Sequence, residues 1–164
     1  MIFTIEKNHH YSDGFIYKIL NAFHDSNRMA YFVKFNESTL YSDETVDRFD
    51  VNKLFGFSIG LHHNNSYRFG WNCLDGKIHI YAYSYIKGVR TIDEICVIEN
   101  DKEHKFIIRI NGDKAIFTVV SEDYEIHQVT QLVSTSKFFG YCLWPYFGGN
   151  KTAPHRISIE LDKN

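Results

Sequence analysis

The chain of 164 residues carries 18 Lys and Arg against 20 Asp and Glu, a formal net charge of -2. That balance gives no electrostatic case for nucleic acid, whose partners show a basic stripe, and the length fits one domain, 1–164, able to bury a core without disulfide or metal staples. Aromatics are the outlier, with 14 Phe and 11 Tyr against two Pro, a mix suited to pleated, half-buried surfaces.

The first residues, MIFTIEKNHH, hold no basic segment followed by an apolar one, and no stretch reaches the ~18 apolar residues of a spanning helix. The expectation is a soluble chain without a membrane span. The mature form of an exported protein fits equally well, so the compartment stays open. Cys73, Cys96 and Cys142 are odd in number, far apart and set in apolar runs, which reads as buried thiols rather than a disulfide framework or a zinc site. His9-His10 and His62-His63 are adjacent pairs that point to opposite faces of a strand, and neither His-x-His nor HExxH occurs. No metal and no cofactor are expected.

In chain order, Ile2 to Glu6 and Phe15 to Phe23 read as strands. Met29 to Asn36 alternates Met29, Tyr31, Val33 and Phe35 against Ala30, Phe32 and Lys34, a strand inside a sandwich. Glu37 to Asp50 is acidic and turn-rich, with room for a short helical turn. Leu54 to Leu61 places Phe55, Phe57, Ile59 and Leu61 on one face; Gly56, Ser58 and Gly60 on the other permit a close approach or a bulge. Beyond the hairpin described next, Lys87-Gly88 turns into a strand from Thr91 to Glu99. Phe106 to Ile110 and Lys114 to Val120 then flank Asn111-Gly112 as a second hairpin. Tyr124 to Val133, Lys137 to Phe147 and the alternating Ile157, Ile159, Leu161 complete ten or eleven strands. No helix of globular length is convincing. The fold class is therefore all-β, an antiparallel β-sandwich or barrel.

The organising stretch is Tyr67 to Ile86. Asp75-Gly76 is favoured for a two-residue type I′ turn, because both central residues need positive φ. Setting Leu74 opposite Lys77 pairs Cys73 with Ile78, Trp71 with Ile80, Phe69 with Ala82 and Tyr67 with Ser84 on an apolar face. The other face then carries Arg68, Gly70 and Asn72 against Tyr83, Tyr81 and His79, with Tyr85 beyond. Aromatic rings standing on a sheet offer flat surfaces to sugar rings, and Arg, Asn and His add directional hydrogen bonds. Gly70 opposite Tyr81 leaves a gap for a ligand or is simply covered by the tyrosine. His63 lies in the loop leading into this hairpin. The segment Leu143 to Arg156 reads as a strand end running into a Gly148-Gly149 loop, with Asn150 and His155 at the rim.

Many short strands, an aromatic sheet face and no helix make the chain resemble the concanavalin A-like jelly rolls of lectins, glucanases and polysaccharide lyases. Phe69-Gly70-Trp71 and the run from Pro145-Tyr146-Phe147-Gly148-Gly149 to Ala153-Pro154-His155 are also similar to a set of small bacterial β-sandwich proteins of no known activity. In alginate-lyase-type jelly rolls, Tyr and His move protons while Arg and Gln or Asn neutralise the uronate carboxylate. That resemblance implies such roles for Arg68, Asn72, His79 and Tyr83, although Arg68 is followed by Phe69-Gly70 rather than x-Glu and His127-Gln128 reverses the lyase order.

Three functions follow as expectations. The first is a carbohydrate-binding, lectin-like module with Tyr81, Tyr83 and Tyr85 as stacking platform, Arg68, Asn72 and His79 as anchors, and a glycan or polysaccharide as partner. The second is a polysaccharide lyase with His79 as base, Tyr83 as acid and Arg68 stabilising the intermediate. The third is a structural or host-recognition module whose aromatic face meets a protein partner or a second copy.

Overall fold

The computed structural model describes residues 1–22, 27–42, 46–133 and 140–163. Eleven strands and one short helix are found among them: β1 (Ile2–Ile5), α1 (Phe15–Leu20), β2 (Arg28–Phe35), β3 (Asn52–Ile59), β4 (Asn65–Leu74), β5 (Lys77–Ile86), β6 (Val89–Ile98), β7 (Glu103–Asn111), β8 (Lys114–Val120), β9 (Ile126–Leu132), β10 (Gly140–Leu143) and β11 (Ile157–Lys163). They form an antiparallel β-sandwich of jelly-roll type. One sheet runs β1-β11-β2-β7-β8-β9 and the other β10-β3-β4-β5-β6. Short 3₁₀ turns at Glu37–Thr39 and Val46–Phe49 occupy the acidic stretch.

The β4–β5 ladder has the register set by its turn, from Leu74 opposite Lys77 to Tyr67 opposite Ser84. Asp75 and Gly76 both have positive φ, 50° and 72°. Lys87 and Gly88 repeat the device at 51° and 81°, and the β5–β6 ladder continues from Ile86 opposite Val89. The second expected hairpin closes one residue later than Asn111-Gly112 implies. Asn111 stays in the ladder opposite Lys114, which leaves Gly112-Asp113 as the loop, with Gly112 at φ 62° in the first central position that type II′ turns reserve for glycine.

Period-2 alternation sends Phe69 and Trp71 into the sandwich, where both are fully buried. Phe69 meets Phe106 edge-on at 4.9 Å and Phe117 at 5.4 Å, and Trp71 lies 5.3 Å from Phe35. Such ring pairs across two sheets add about 1 kcal/mol each to the burial of their area. Met29, Tyr31, Val33 and Phe35 of β2 face this core, and Cys73, Cys96 and Cys142 are free and buried. At one edge the sheets are joined by a polar clamp. The Ser84 hydroxyl donates to Gln131 Oε1 at 2.6 Å, and Gln131 Nε2 donates to the Ala82 carbonyl and to Asp93.

Two expectations are corrected. Phe15 to Leu20 forms α1 rather than a strand; Gly14 at φ 79° starts it, and the Lys18 N–H donates to the Gly14 carbonyl. Tyr17 alone of its aromatic rings packs inward, edge-on to Phe3 and Trp144, which a helical turn allows and a half-buried strand would not. Phe23 and the stretch 137–139, expected in strands, lie outside the described residues. The small residues of β3 meet the expected bulge: Gly56 ends a register shift that begins at Lys53, and the neighbouring backbone approaches so closely that a Cβ there would overlap the Tyr67 carbonyl oxygen and Arg68 Cα. The gap at Gly70 is filled by Val51, whose Cγ1 occupies the space of the missing Cβ.

Gly56→Ala is therefore expected to cost about 3 kcal/mol or more in urea unfolding, because the obstacle is backbone. Gly76→Ala, with nothing within 4 Å, costs only about 1 kcal/mol through its positive φ.

Candidate functional site

The outer face of the second sheet is divided by the segment that follows β10. Tyr146 forms an isolated bridge with Lys53: the Lys53 N–H donates to the Tyr146 carbonyl at 2.8 Å, and the Tyr146 N–H returns a bond at 2.9 Å. The next turn is held by side chains of the same strand. The Gly148 N–H donates to Asn52 Oδ1, while Asn52 Nδ2 donates to the Tyr41 hydroxyl at 2.8 Å. The expected Gly148-Gly149 loop is thus pinned across the start of β3.

Beside it opens a cleft of about 520 Å³ between this loop, α1 and the β4–β5–β6 face. Such a volume lies within the range of small-molecule sites. Arg68, Tyr83 and Lys53 line it, with Tyr85 and Arg90 from the adjoining ladder, His62 and His63 from the loop before β4, Tyr11 and Lys18 from around α1, and Trp144, Tyr146 and Asn150 from the capping segment. No Asp or Glu is among the described residues that line it.

Arg68 is the decisive residue. It opposes Tyr83 in the ladder, is 8% exposed, and its guanidinium carbon lies 5.4 Å from the Tyr83 ring centroid. Its Nε is buried without a hydrogen-bond acceptor, and among the described residues no carboxylate pairs with it. Buried charges are ordinarily paired, so an unpaired guanidinium facing a cleft is poised for an external anion. Lys53 is its companion. The Lys53 ammonium is 5.1 Å from the Tyr83 ring and 5.9 Å from the Tyr146 ring, and donates to the Gly148 carbonyl at 2.9 Å. Burial, then the neighbouring Arg68, bring its pKa down to about 8, with Asp50 opposing.

Burial also raises the Tyr83 hydroxyl to about 12, helped by its hydrogen bond with Tyr85 and opposed by Arg68. His62 is held below its usual pKa by burial, then by His63 and Arg68, and its Nδ1 lies 2.7 Å from the Tyr141 hydroxyl. His63 is exposed at the rim, edge-on to Tyr85 at 5.7 Å.

The candidate residues do not form one constellation. Arg68, Tyr83, Tyr85, His63 and Asn150 line the cleft, whereas the Asn72–His79 pair stands four register positions along the ladder, about 13 Å at ~3.3 Å per residue, and Tyr81 stands two positions along, opposite Gly70. There the Tyr81 hydroxyl donates to Asn72 Oδ1 at 3.1 Å, and His79 Nδ1 faces the Glu94 carboxylate at 3.4 Å. His155 is elsewhere again, with Nε2 2.8 Å from the Ser38 carbonyl, tying the approach to β11 onto the 3₁₀ turn.

Sequence reasoning passed over Lys53, His62, Arg90, Lys18, Tyr11, Trp144 and Tyr146. Arg90 was within reach, since extending the register through the Lys87-Gly88 turn places it opposite Tyr85. Lys53 was not, because the shift at Gly56 separates its pairing from the hydrophobic pattern of the strand.

No protein-family model matches the chain, and no curated protein matches it. Among solved structures, the alginate lyase from Klebsiella pneumoniae is similar in fold, with a TM-score of 0.60 and 12% identity over 84% of this chain. The chain spans 59% of that structure's length. Carbohydrate binding module CBM66 from Bacillus subtilis matches at a TM-score of 0.43 and 11% identity, over 83% of this chain and 71% of its own. The CBM2 module of the Lactobacillus casei BL23 phage J-1 evolved Dit matches at 0.44 and 13%, over 99% and 69%. At these identities the lyase likeness establishes the sandwich fold, and the two weaker matches add nothing to it.

Proposed function

We propose that the protein binds an acidic glycan in the cleft beside the β10–β11 loop. The observation that carries this reading is the buried Arg68, unpaired among the described residues, on the floor of an aromatic cleft to which no described Asp or Glu contributes. A uronate carboxylate satisfies the guanidinium bidentately, and the exposed ring of Tyr11 and the half-buried ring of Tyr85 offer stacking surfaces for the sugar. Tyr81, engaged with Asn72, is left out of the platform, and His79 and Asn72 are left out of the anchors.

A lyase is the second reading, favoured by the His62–Tyr141 pair. Burial keeps the His62 imidazole neutral and able to accept a proton from the carbon next to the carboxylate. Arg68 would stabilise the resulting enolate, and a cleft tyrosine would protonate the leaving glycosidic oxygen. His62 takes the place expected for His79, which stands four register positions away from Arg68.

A panel of neutral and uronate oligosaccharides, read by calorimetry and by the ultraviolet absorbance of unsaturated product, separates the readings. Binding without product supports the module; product lost in His62→Ala and Tyr141→Phe, with binding retained, supports the lyase. In either case Arg68→Met is expected to weaken uronate binding at least about tenfold, the worth of a charge-assisted hydrogen bond. The same variant is expected to raise Tm, since it removes an uncompensated buried charge. Uronate affinity unchanged in Arg68→Met overturns the assignment.

The pH dependence has a definite sign. An anion favours protonated Lys53, so affinity is full well below pH 8 and declines as pH rises through the Lys53 pKa of about 8. Lys53→Arg, which keeps its charge, is expected to give a flat profile from pH 7 to 9.

A further inference from the structure

We infer that Lys53 is a nucleophilic amine, placed to form an imine with an aldehyde whose carboxylate is held by Arg68. The inference shares the cleft with the glycan reading but does not require it.

The geometry begins with two cations against one ring. Lys53 Nζ and the Arg68 guanidinium carbon lie 5.1 and 5.4 Å from the centroid of Tyr83. Both side chains are at least nine-tenths buried, and neither has a carboxylate partner among the described residues. The charged groups acting on Lys53 are Arg68 and Arg90, which disfavour its proton, and Asp50, which favours it less strongly than burial disfavours it. Two unpaired cations in a poorly hydrated floor are relieved by the loss of one proton. Arginine cannot supply it in the accessible pH range, so the loss falls on the lysine. Desolvation beside another cationic group is the arrangement that makes a lysine amine nucleophilic near neutrality.

The amine is also held in place. Lys53 Nζ donates to the Gly148 carbonyl, and the backbone of Lys53 is bonded in both directions to Tyr146. Donation to Gly148 through one N–H leaves the lone pair of the neutral amine free for attack. The nitrogen adds to the carbonyl carbon, a proton passes from nitrogen to the former carbonyl oxygen, and the carbinolamine then loses water to leave the C=N bond. No oxidant, reductant or metal enters the balance. The carboxylate beyond the carbonyl reaches Arg68, whose Nε has no acceptor among the described residues. Both groups occur together in a small oxo acid and in the open-chain form of a uronate reducing end.

The test uses glyoxylate with cyanoborohydride, which traps an imine as a stable secondary amine, followed by peptide mapping by mass spectrometry at pH 7.5. Lys53 is expected to be labelled at least about tenfold faster than the exposed Lys87 and Lys114, because burial and Arg68 bring its pKa down to about 8 from the ordinary lysine range. Arg68→Met is expected to slow labelling by glyoxylate much more than labelling by acetaldehyde, which has no carboxylate to hold. Lys53 labelled no faster than Lys87 and Lys114 in the unaltered protein overturns the inference without any variant that has to fold. Equal effects of Arg68→Met on both aldehydes overturn the role of Arg68. Failure of every uronate to bind leaves these results intact, so the two readings fail separately.

Discussion

The two-residue turn at Asp75-Gly76 is the constraint on which the rest depends. A turn with positive φ at both central positions admits one register, and in a ladder a slip of one residue would exchange the two faces. With that register in place, Phe69 and Trp71 pack against the rings of the opposite sheet, and Arg68 is carried to the outside. The aromatic core and the cationic cleft are consequences of the same alternation. Core and cleft cannot be moved independently.

What makes the outer face a site is its partial cover. Had the face been open, Arg68 would be hydrated and its lack of a partner unremarkable. Val51, Lys53 and the loop from Trp144 to Asn150 lie over part of it, so the charge is removed from water with the Tyr83 ring beside it and its Nε without an acceptor among the described residues. The loop is held by backbone bonds to Lys53 and by Asn52, which makes the cover part of the fold. Burying Arg68 and Lys53 without a carboxylate among the described residues costs free energy that an entering anion would offset, which is the physical basis of the proposed binding.

The same cover separates residues that a flat reading of the hairpin unites. Arg68, Tyr83 and Tyr85 open into the cleft, while further along Tyr81 donates to Asn72 and His79 faces the Glu94 carboxylate. Among the buried side-chain atoms left without a hydrogen-bond partner in the described residues, Arg68 Nε belongs to a charged group that lines the cleft, which makes it the candidate for binding. The distinction rests on hydrogen-bond accounting, which residue type does not reveal.

The sequence by itself determined the all-β class, the register of the β4–β5 hairpin and the split between its apolar and polar faces, because turn chemistry and period-2 alternation are local and need no distant partner. It also placed Arg68, Tyr83 and Tyr85 on one face, and with the second turn at Lys87-Gly88 it held the position of Arg90. Only the tertiary structure decided that Phe15 to Leu20 is helical, that Gly56 marks a register shift rather than a landing place, and that Lys53 stands beside Arg68. Those outcomes depend on contacts between segments up to about a hundred residues apart, Lys53 with Gly148 and Asn52 with the same turn. No local pattern encodes which loop will cross which strand, and the cleft is made where one does.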